Sequence, residues 1–289
     1  MKIALLPNLT RTRAAQTTQD ICGWLSRYGA EYACTAETAA GLPEIPGLRI
    51  RPFPELMNWC DVVITVGGDG SMLVAAKHTV DYEKPILCIN AGHLAFMAGL
   101  ERNELSLLKQ LIDGNYEIDR RMLLDAKLIR KGKVIDSRHC INDAVLSRGK
   151  TIKITDINVS CDDRLINTYR ADGIIVATPT GSSGYSLSAG GPVINPSIEA
   201  IVVTPICPQS LFARSIVFSS ENRIDIACDP KASNKDLVLS FDGEDAIEVL
   251  PDDVISLSKS EKYASFIRIK NDSFFEILNQ KLAGTEGKS

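Results

Sequence analysis

No two of the eight cysteines are spaced as Cys-x-x-Cys, and the three histidines, His78, His93 and His139, fall at no metal-ligand spacing. A disulfide frame, a zinc finger and a histidine-based metal centre are thereby excluded. Most of the cysteines sit inside apolar runs such as Ile86-Leu87-Cys88-Ile89 and read as small buried hydrophobes of a reducing compartment. No apolar run approaches the ~18 residues of a membrane span. The opening Met1-Lys2-Ile3-Ala4-Leu5-Leu6-Pro7 is too short for a secretory leader and has no cleavage site after it, so a soluble cytoplasmic chain is expected. Excess positive charge is missing too: the net charge is -4, which gives no footprint for nucleic acid or an anionic membrane. There is no internal repeat, no Gly-Lys-Ser/Thr phosphate loop and no G-x-G-x-x-G fingerprint.

What is present is a run, Asp61-Val62-Val63-Ile64-Thr65-Val66, that passes into Gly67-Gly68-Asp69-Gly70-Ser71. Glycines let backbone N–H groups come against a ligand without Cβ obstruction, and the helix-like stretch from Ser71 to Lys77 aims its first amides at an anion. Asp69 is the odd member, because a carboxylate beside phosphates is repelled unless it holds a metal ion or accepts a proton. The same residues also suit a plain strand-to-helix turn with Asp69 as helix N-cap.

With 289 residues, 45% of them hydrophobic, the chain is long enough for two globular domains. Residues 2–6, 61–66 and 86–89 read as strands, and Ala14 to Tyr28, the stretch from Ser71, and Leu105 to Ile112 read as helices. That βα alternation predicts a Rossmann-like parallel sheet over residues 1–115, interrupted by a loop-prone region with prolines at 43, 46, 52 and 54. Past Asp113-Gly114-Asn115, short β-rich runs punctuated by Lys131-Gly132, Asp162-Asp163, Asp229-Pro230 and Asp242-Gly243 predict an antiparallel, sandwich-like β domain over 116–268. Within it, Ser183 to Ala189 reads as the start of a helix. A helix over 273–282 is expected to return, with the rest of 269–289, to the first domain, and the site is expected between the two domains.

Two further motifs carry chemistry. In Ile141-Asn142-Asp143-Ala144-Val145 an amide adjoins a carboxylate at the start of an apolar strand, where both can reach a ligand's hydroxyls or where a strand end is simply solvated. From Tyr169 to Pro192 an apolar strand is framed by Arg170 and Asp172 before it and by a loop of hydroxyls and glycines after it. That density of small hydrogen-bonding groups suits sugars and phosphates. The plainer reading is an ordinary polar loop with an Arg170–Asp172 surface pair.

Gly67-Gly68-Asp69-Gly70-Ser71, Gly92-His93-Leu94-Ala95-Phe96, Asn142-Asp143, Asp172-Gly173, Thr178-Pro179-Thr180-Gly181-Ser182-Ser183-Gly184-Tyr185 with Ser188-Ala189-Gly190-Gly191-Pro192, and Thr204-Pro205-Ile206-Cys207-Pro208 occur in an order that resembles the NAD kinase family. The resemblance spans roughly residues 60–245. It implies an enzyme that phosphorylates the 2′-hydroxyl of the adenosine ribose of NAD, giving NADP, with ATP or polyphosphate as donor and Mg²⁺ on the donor phosphates. It also implies a homodimer or homotetramer. By the same resemblance Asp69 is the proton acceptor, Gly68 and Gly70 line the dinucleotide, Phe96 lies over the adenine region, and Asn142 and Asp143 hold ribose hydroxyls and amide groups. Arg170, Asp172, Thr180, Ser183, Gly184, Tyr185, Ser188 and Cys207 fall at positions that contact the nucleotide in the family, which assigns no resident metal ligand among them. Four residues depart from the family's usual ones: Gly184 replaces alanine, Gln209 histidine, Ala213 asparagine and Glu244 glutamine. The glycine motif alone is shared with lipid and sugar kinases, so a different hydroxyl acceptor, or an idle dinucleotide-binding regulator, are the competing readings.

Overall fold

Val62–Gly67, six buried residues in a row, reads as a strand covered on both faces, and in the computed structural model it is one: a parallel strand flanked by two others. The structure describes residues 1–91, 99–232 and 236–270, together with Phe274, Glu276, Leu278 and Asn279. The Gly92–Phe96 motif, with Phe96, and most of the tail over 273–282 lie outside the described residues; the four described tail residues are helical. The chain forms two units, Met1–Arg120 with Ala264–Ser289, and Arg121–Tyr263. The division falls inside the strands Glu117–Arg130 and Asp253–Arg268 and not at the Asp113-Gly114-Asn115 turn; the second of these strands gives Ile255 and Leu257 to one core and Ile267 to the other.

In the first unit the parallel sheet runs Ile86–Asn90, Val62–Gly67, Lys2–Leu5, Glu31–Cys34, Arg49–Ile50. Phe266, near the end of the Asp253–Arg268 strand, registers parallel to Ile86 at one margin. Helix Ala14–Arg27 buries Ala14, Thr17, Thr18, Ile21, Cys22 and Leu25 at helical spacing, against a core that includes Ile3, Leu5, Ile64 and Leu87. The proline-rich region is more ordered than its composition predicts. It holds strand Arg49–Ile50 and helix Phe53–Trp59, since Pro52 is the helix N-cap and Pro54 lies in the first turn, where a missing N–H costs nothing. Leu105 to Ile112 divides into a 3₁₀ turn, Arg102–Leu107, and an α-helix, Leu108–Asp113, that ends at Gly114 with φ 78°.

The second unit is a sandwich. One six-stranded antiparallel sheet orders as Ile216–Ser219, Ala200–Ile206, Gly173–Ala177, Asp143–Arg148, Leu237–Phe241, Ile247–Val249. The facing strands include Arg164–Ala171, Thr155–Cys161, Ile224–Cys228 and the first part of Asp253–Arg268. Alternate residues of both sheets, such as Ile174, Val176, Ile201, Ile157 and Ile255, share one core, while Ile175, Ala177 and Val202 on the other face pack with Ile194. Gly173–Ala177 is therefore apolar throughout because both its faces are covered. Lys131-Gly132 and Asp162-Asp163 turn with positive φ, as two-residue hairpins require, and Asp242-Gly243 also turns with positive φ, at the start of a longer connection to Ile247–Val249. Asp229-Pro230 makes no hairpin, for the strands on either side of it belong to different sheets.

Three carboxylates of this second unit are held below the usual carboxylate range. Asp253 is lowered chiefly by hydrogen bonds from the Arg130 guanidinium, at 2.7 and 2.8 Å. Asp236 is lowered by the Thr151 hydroxyl and amide, and Asp162 by the Arg223 amide and Asn222. A depressed folded value means stability that is present above the unfolded value, about 3.9, and lost as pH falls through the folded value. We expect a melting temperature insensitive to these groups between pH 5 and 7 and falling below about pH 4. Asp253→Asn should flatten that acid limb; an unchanged acid limb in a variant with lower stability at neutral pH would count against it.

Candidate active site

The turn after Val62–Gly67 places its glycines for two different reasons. A Cβ on Gly67 would lie 2.2 Å from Ser71 Oγ, so packing requires glycine there. On Gly68 and Gly70 a Cβ would meet nothing within 4 Å. Nothing inside the unit needs these two to be bare, and bare backbone at the open end of a strand is what a phosphate approaches. The helix runs Asp69–Thr79, with Gly68 in the N-cap position and no side chain capping it. Asp69 is thus not the N-cap but the first helical residue, half-exposed, in the turn that the Ser71 and Met72 amides close onto Gly68 O at 2.9 and 3.1 Å. Its charge is felt one strand away, where the Cys88 thiol is pushed up first by burial and then by Asp69 and Glu101. Glu101 in turn accepts hydrogen bonds from the amide of buried Asn90, at 3.0 and 3.1 Å. Asp69, just past the end of Val62–Gly67, and Glu101, registered beside Asn90, thus both act on one buried thiol.

In the second unit, Asn142 and Asp143 open strand Asp143–Arg148, and Asp143 is buried. Their backbone is fixed by a residue whose role the sequence does not reveal. Asp242 accepts hydrogen bonds from the amides of Ile141, Asn142 and Asp143, at 2.9, 2.7 and 2.9 Å. On the other side Thr178 donates to Ile141 O at 2.6 Å, and a Cβ on Gly181 would sit 2.1 Å from Asn142 O. The hydroxyl-rich loop is thus laid directly on Asn142. Ser182 bonds Pro179 and Ile194, Ser183 bonds Thr180 O, and Arg121 donates to Thr180 Oγ1 at 3.3 Å. Ser183 to Ala189 supplies only a short helix, Tyr185–Ser188. On it Tyr185 and Ser188 are exposed, next to exposed Gly184. A Cβ on Gly184 would come 3.3 Å from Gly181 O and 4.0 Å from Asn142 Nδ2, so glycine here widens the space beside Asn142.

Asn142, Asp143, Thr180, Ser183, Gly184, Tyr185 and Ser188 are brought together at one end of strand Gly173–Ala177. Arg170, Asp172 and Cys207 are at the other end, where Gly173 faces Ile206. Five residues of strand, roughly 15 Å, separate the two groups. Asp172 does not pair with Arg170 but with Arg148, at 2.9 Å, for it lies where the chain leaves strand Arg164–Ala171 of one sheet and enters Gly173–Ala177 of the other. Cys207 is exposed with φ 44°, unlike six of the other cysteines, which are buried. Gln209 donates its amide to Arg170 O, and Ala213 packs on the sandwich core. Glu244 is paired with Arg138 at 2.7 Å, so the charge it brings is met within the unit. Among the described residues no three His, Cys, Asp or Glu side chains cluster as a metal site, and no helix is long and apolar enough to cross a membrane.

Residues 49–116 match the family model described as ATP-NAD kinase N-terminal domain, and 141–269 the one described as ATP-NAD kinase C-terminal domain. An NAD kinase from Caldanaerobacter subterraneus subsp. tengcongensis is 36% identical over 97% of this chain and 98% of its own length. One from Symbiobacterium thermophilum is 38% identical over 98% and 99%. Among solved structures, yeast NADH kinase complexed with NADH superposes with a TM-score of 0.86 at 24% identity, covering 100% of this chain and 89% of that one. An NAD kinase from Archaeoglobus fulgidus in complex with ATP gives a TM-score of 0.77 at 24% identity, covering 98% and 99%.

Proposed function

Because the chain belongs to the NAD kinase family, and is a phosphotransferase by that membership, we propose that it phosphorylates the 2′-hydroxyl of the adenosine ribose of NAD. The observation that carries the chemistry is the bare turn Gly68-Asp69-Gly70: a carboxylate at the first position of a helix, between two glycines that packing does not require. Phosphoryl transfer passes through a loose transition state, so most of the work is positioning and charge neutralisation. A ribose hydroxyl is far less acidic than a carboxyl group, whose reference pKa is about 3.9, so Asp69 orients the hydroxyl and takes its proton late in the transfer. There is no P-loop lysine. Mg²⁺ arriving with the donor phosphates would neutralise charge in its place, beside the backbone of the 67–71 turn.

Asn142 and Asp143 hold the nucleoside's hydroxyl and amide groups, and Thr180, Ser183, Gly184, Tyr185 and Ser188 line it. Arg170, Asp172 and Cys207 serve the far part of the dinucleotide, or the ligand of a neighbouring copy in a homodimer or homotetramer; sedimentation velocity reads that assembly directly. A cytoplasmic place of work belongs to the same reading. The test is incubation with NAD, Mg²⁺ and either ATP or polyphosphate, followed by detection of NADP. NADP formed at the 2′ position is the expected result, and NAD binding without turnover on either donor would favour the idle regulator.

A further inference from the structure

At one end of the first unit's sheet, three neighbouring strands bring one residue each into line. Gly67 registers with Asn90, and Asn90 registers with Glu101 on the two-residue strand Leu100–Glu101. Side chains alternate between the two faces of a sheet, and one position earlier Val66, Ile89 and Leu100 share the core that also holds Ile64 and Leu87. Gly67, Asn90 and Glu101 therefore turn to the opposite face, where a Cβ on Gly67 would strike Ser71 of helix Asp69–Thr79. Asn90 stands between Glu101 and the strand that leads into Gly68-Asp69-Gly70.

An apolar side chain is the simplest end for a strand whose other residues, Ile86-Leu87-Cys88-Ile89, are all buried and apolar. Asn90 is only 2% exposed, and a buried amide is costly unless it is hydrogen-bonded. Its Nδ2 donates to both oxygens of Glu101, at 3.0 and 3.1 Å. An ionised carboxylate can only accept, so it selects one orientation of the amide, with the nitrogen toward Glu101 and the carbonyl oxygen away from it. Glu101 is itself anchored. It is the N-cap of the 3₁₀ turn Arg102–Leu107, in a capping box with Glu104, whose carboxylate accepts from the Glu101 amide at 2.8 Å and from the Lys270 ammonium at 2.9 Å. The Cys88 thiol, raised first by burial, feels both Asp69 and Glu101, so the two carboxylates share one neighbourhood.

We propose that Glu101 is a positioning residue for the transfer: acting through Asn90, it holds that residue's carbonyl oxygen toward the Gly67–Gly70 turn and so fixes where Asp69 stands against the acceptor hydroxyl. The inference rests on the kinase reading above and deepens it. A catalytic group displaced by about 1 Å can lower turnover by up to about 10²-fold. NAD binding, which that reading gives to Asn142 and Asp143, is left as it was. If Glu101 only tied its strand to the following turn, its loss would lower stability and leave turnover alone.

The test uses Glu101→Gln, which keeps the side chain's length and an oxygen for the capping box, but can donate as well as accept and so lets the Asn90 amide turn over. Steady-state kinetics on the full chain should show kcat for NADP formation lowered roughly tenfold, with the KM for NAD within about twofold of the parent. In a double-mutant cycle, Glu101→Gln added to Asn90→Ala should lower kcat no further, since Glu101 acts only through that amide. Glu104→Ala breaks the other half of the capping box and the Lys270 pair, and should lower the melting temperature with kcat at the parental level. A near-parental kcat in Glu101→Gln, additive losses in the cycle, or an equal loss of kcat in Glu104→Ala would overturn the positioning role while leaving the kinase reading in place. A parent that makes no NADP from any donor would overturn the kinase reading, and the positioning role with it.

Discussion

Asp69→Asn should leave NAD bound and lower kcat for NADP formation by on the order of 10²–10⁴-fold. The substitution keeps the side chain's shape and removes only the proton acceptor and one negative charge. The structure sharpens this experiment, since Asp69 is the first helical residue behind a Gly68 N-cap. A capping role, in which Asn would serve almost as well, is therefore not what the position offers. Loss of a favourable charge at a helix start costs about 0.3–1 kcal/mol, too little to unfold a protein of this size. Melting temperature and kcat measured on one preparation separate the two effects. A near-parental kcat would end the catalytic assignment.

The second large effect is expected at Asp242, which touches no ligand in this reading and acts through the backbone it holds. Its carboxylate takes the amides of Ile141, Asn142 and Asp143 at once. Asp242→Ala leaves three donors without that acceptor, and leaving a buried donor unmet costs ~1–3 kcal/mol. The segment then rearranges, and NAD affinity should fall roughly tenfold to a hundredfold, much as if Asn142 itself had been removed. The control is Asp236→Ala, because Asp236 similarly takes the amide and hydroxyl of Thr151, at 2.8 and 2.7 Å, in a loop that carries no site residue. Both variants should melt earlier. Only the Asp242 variant should raise the KM for NAD, and an equal rise in both would reduce Asp242 to a general stabilising role.

How far the chain could be read in advance depends on the distance over which each signal acts. The strand Val62–Gly67 announces itself because burial on both faces demands an unbroken apolar run, and hairpins at Lys131-Gly132 and Asp242-Gly243 do so because a positive φ is cheap only for a few residues. Asp229-Pro230 carries a similar local signal and misleads: whether two strands pair is decided by their partners elsewhere, and these two pair in different sheets. The proline-rich stretch hid a strand and a helix for the opposite reason, since proline stops a helix interior but suits its first turn. At the site, Asp69 and Asn142 are legible from chemistry next to them in sequence. Asp242 is not, for the amides it holds lie about 100 residues earlier. Arg121 at Thr180 and Arg148 at Asp172 were hidden in the same way.

The order of synthesis gives one strand a further meaning. Phe266 pairs with Ile86, 180 positions before it (266 − 86), and residues 121–263 between them form a unit of their own. At the roughly 5–20 residues per second of translation, the sheet that carries Asp69 waits about 10–35 s for its last strand to be made. During that interval the Ile86 end of Ile86–Asn90 is an open β edge, the kind of surface that invites pairing with another chain. The nested unit must then fold promptly to deliver residues 264–268, which makes the sandwich's folding rate a determinant of how much of the newly made chain escapes aggregation.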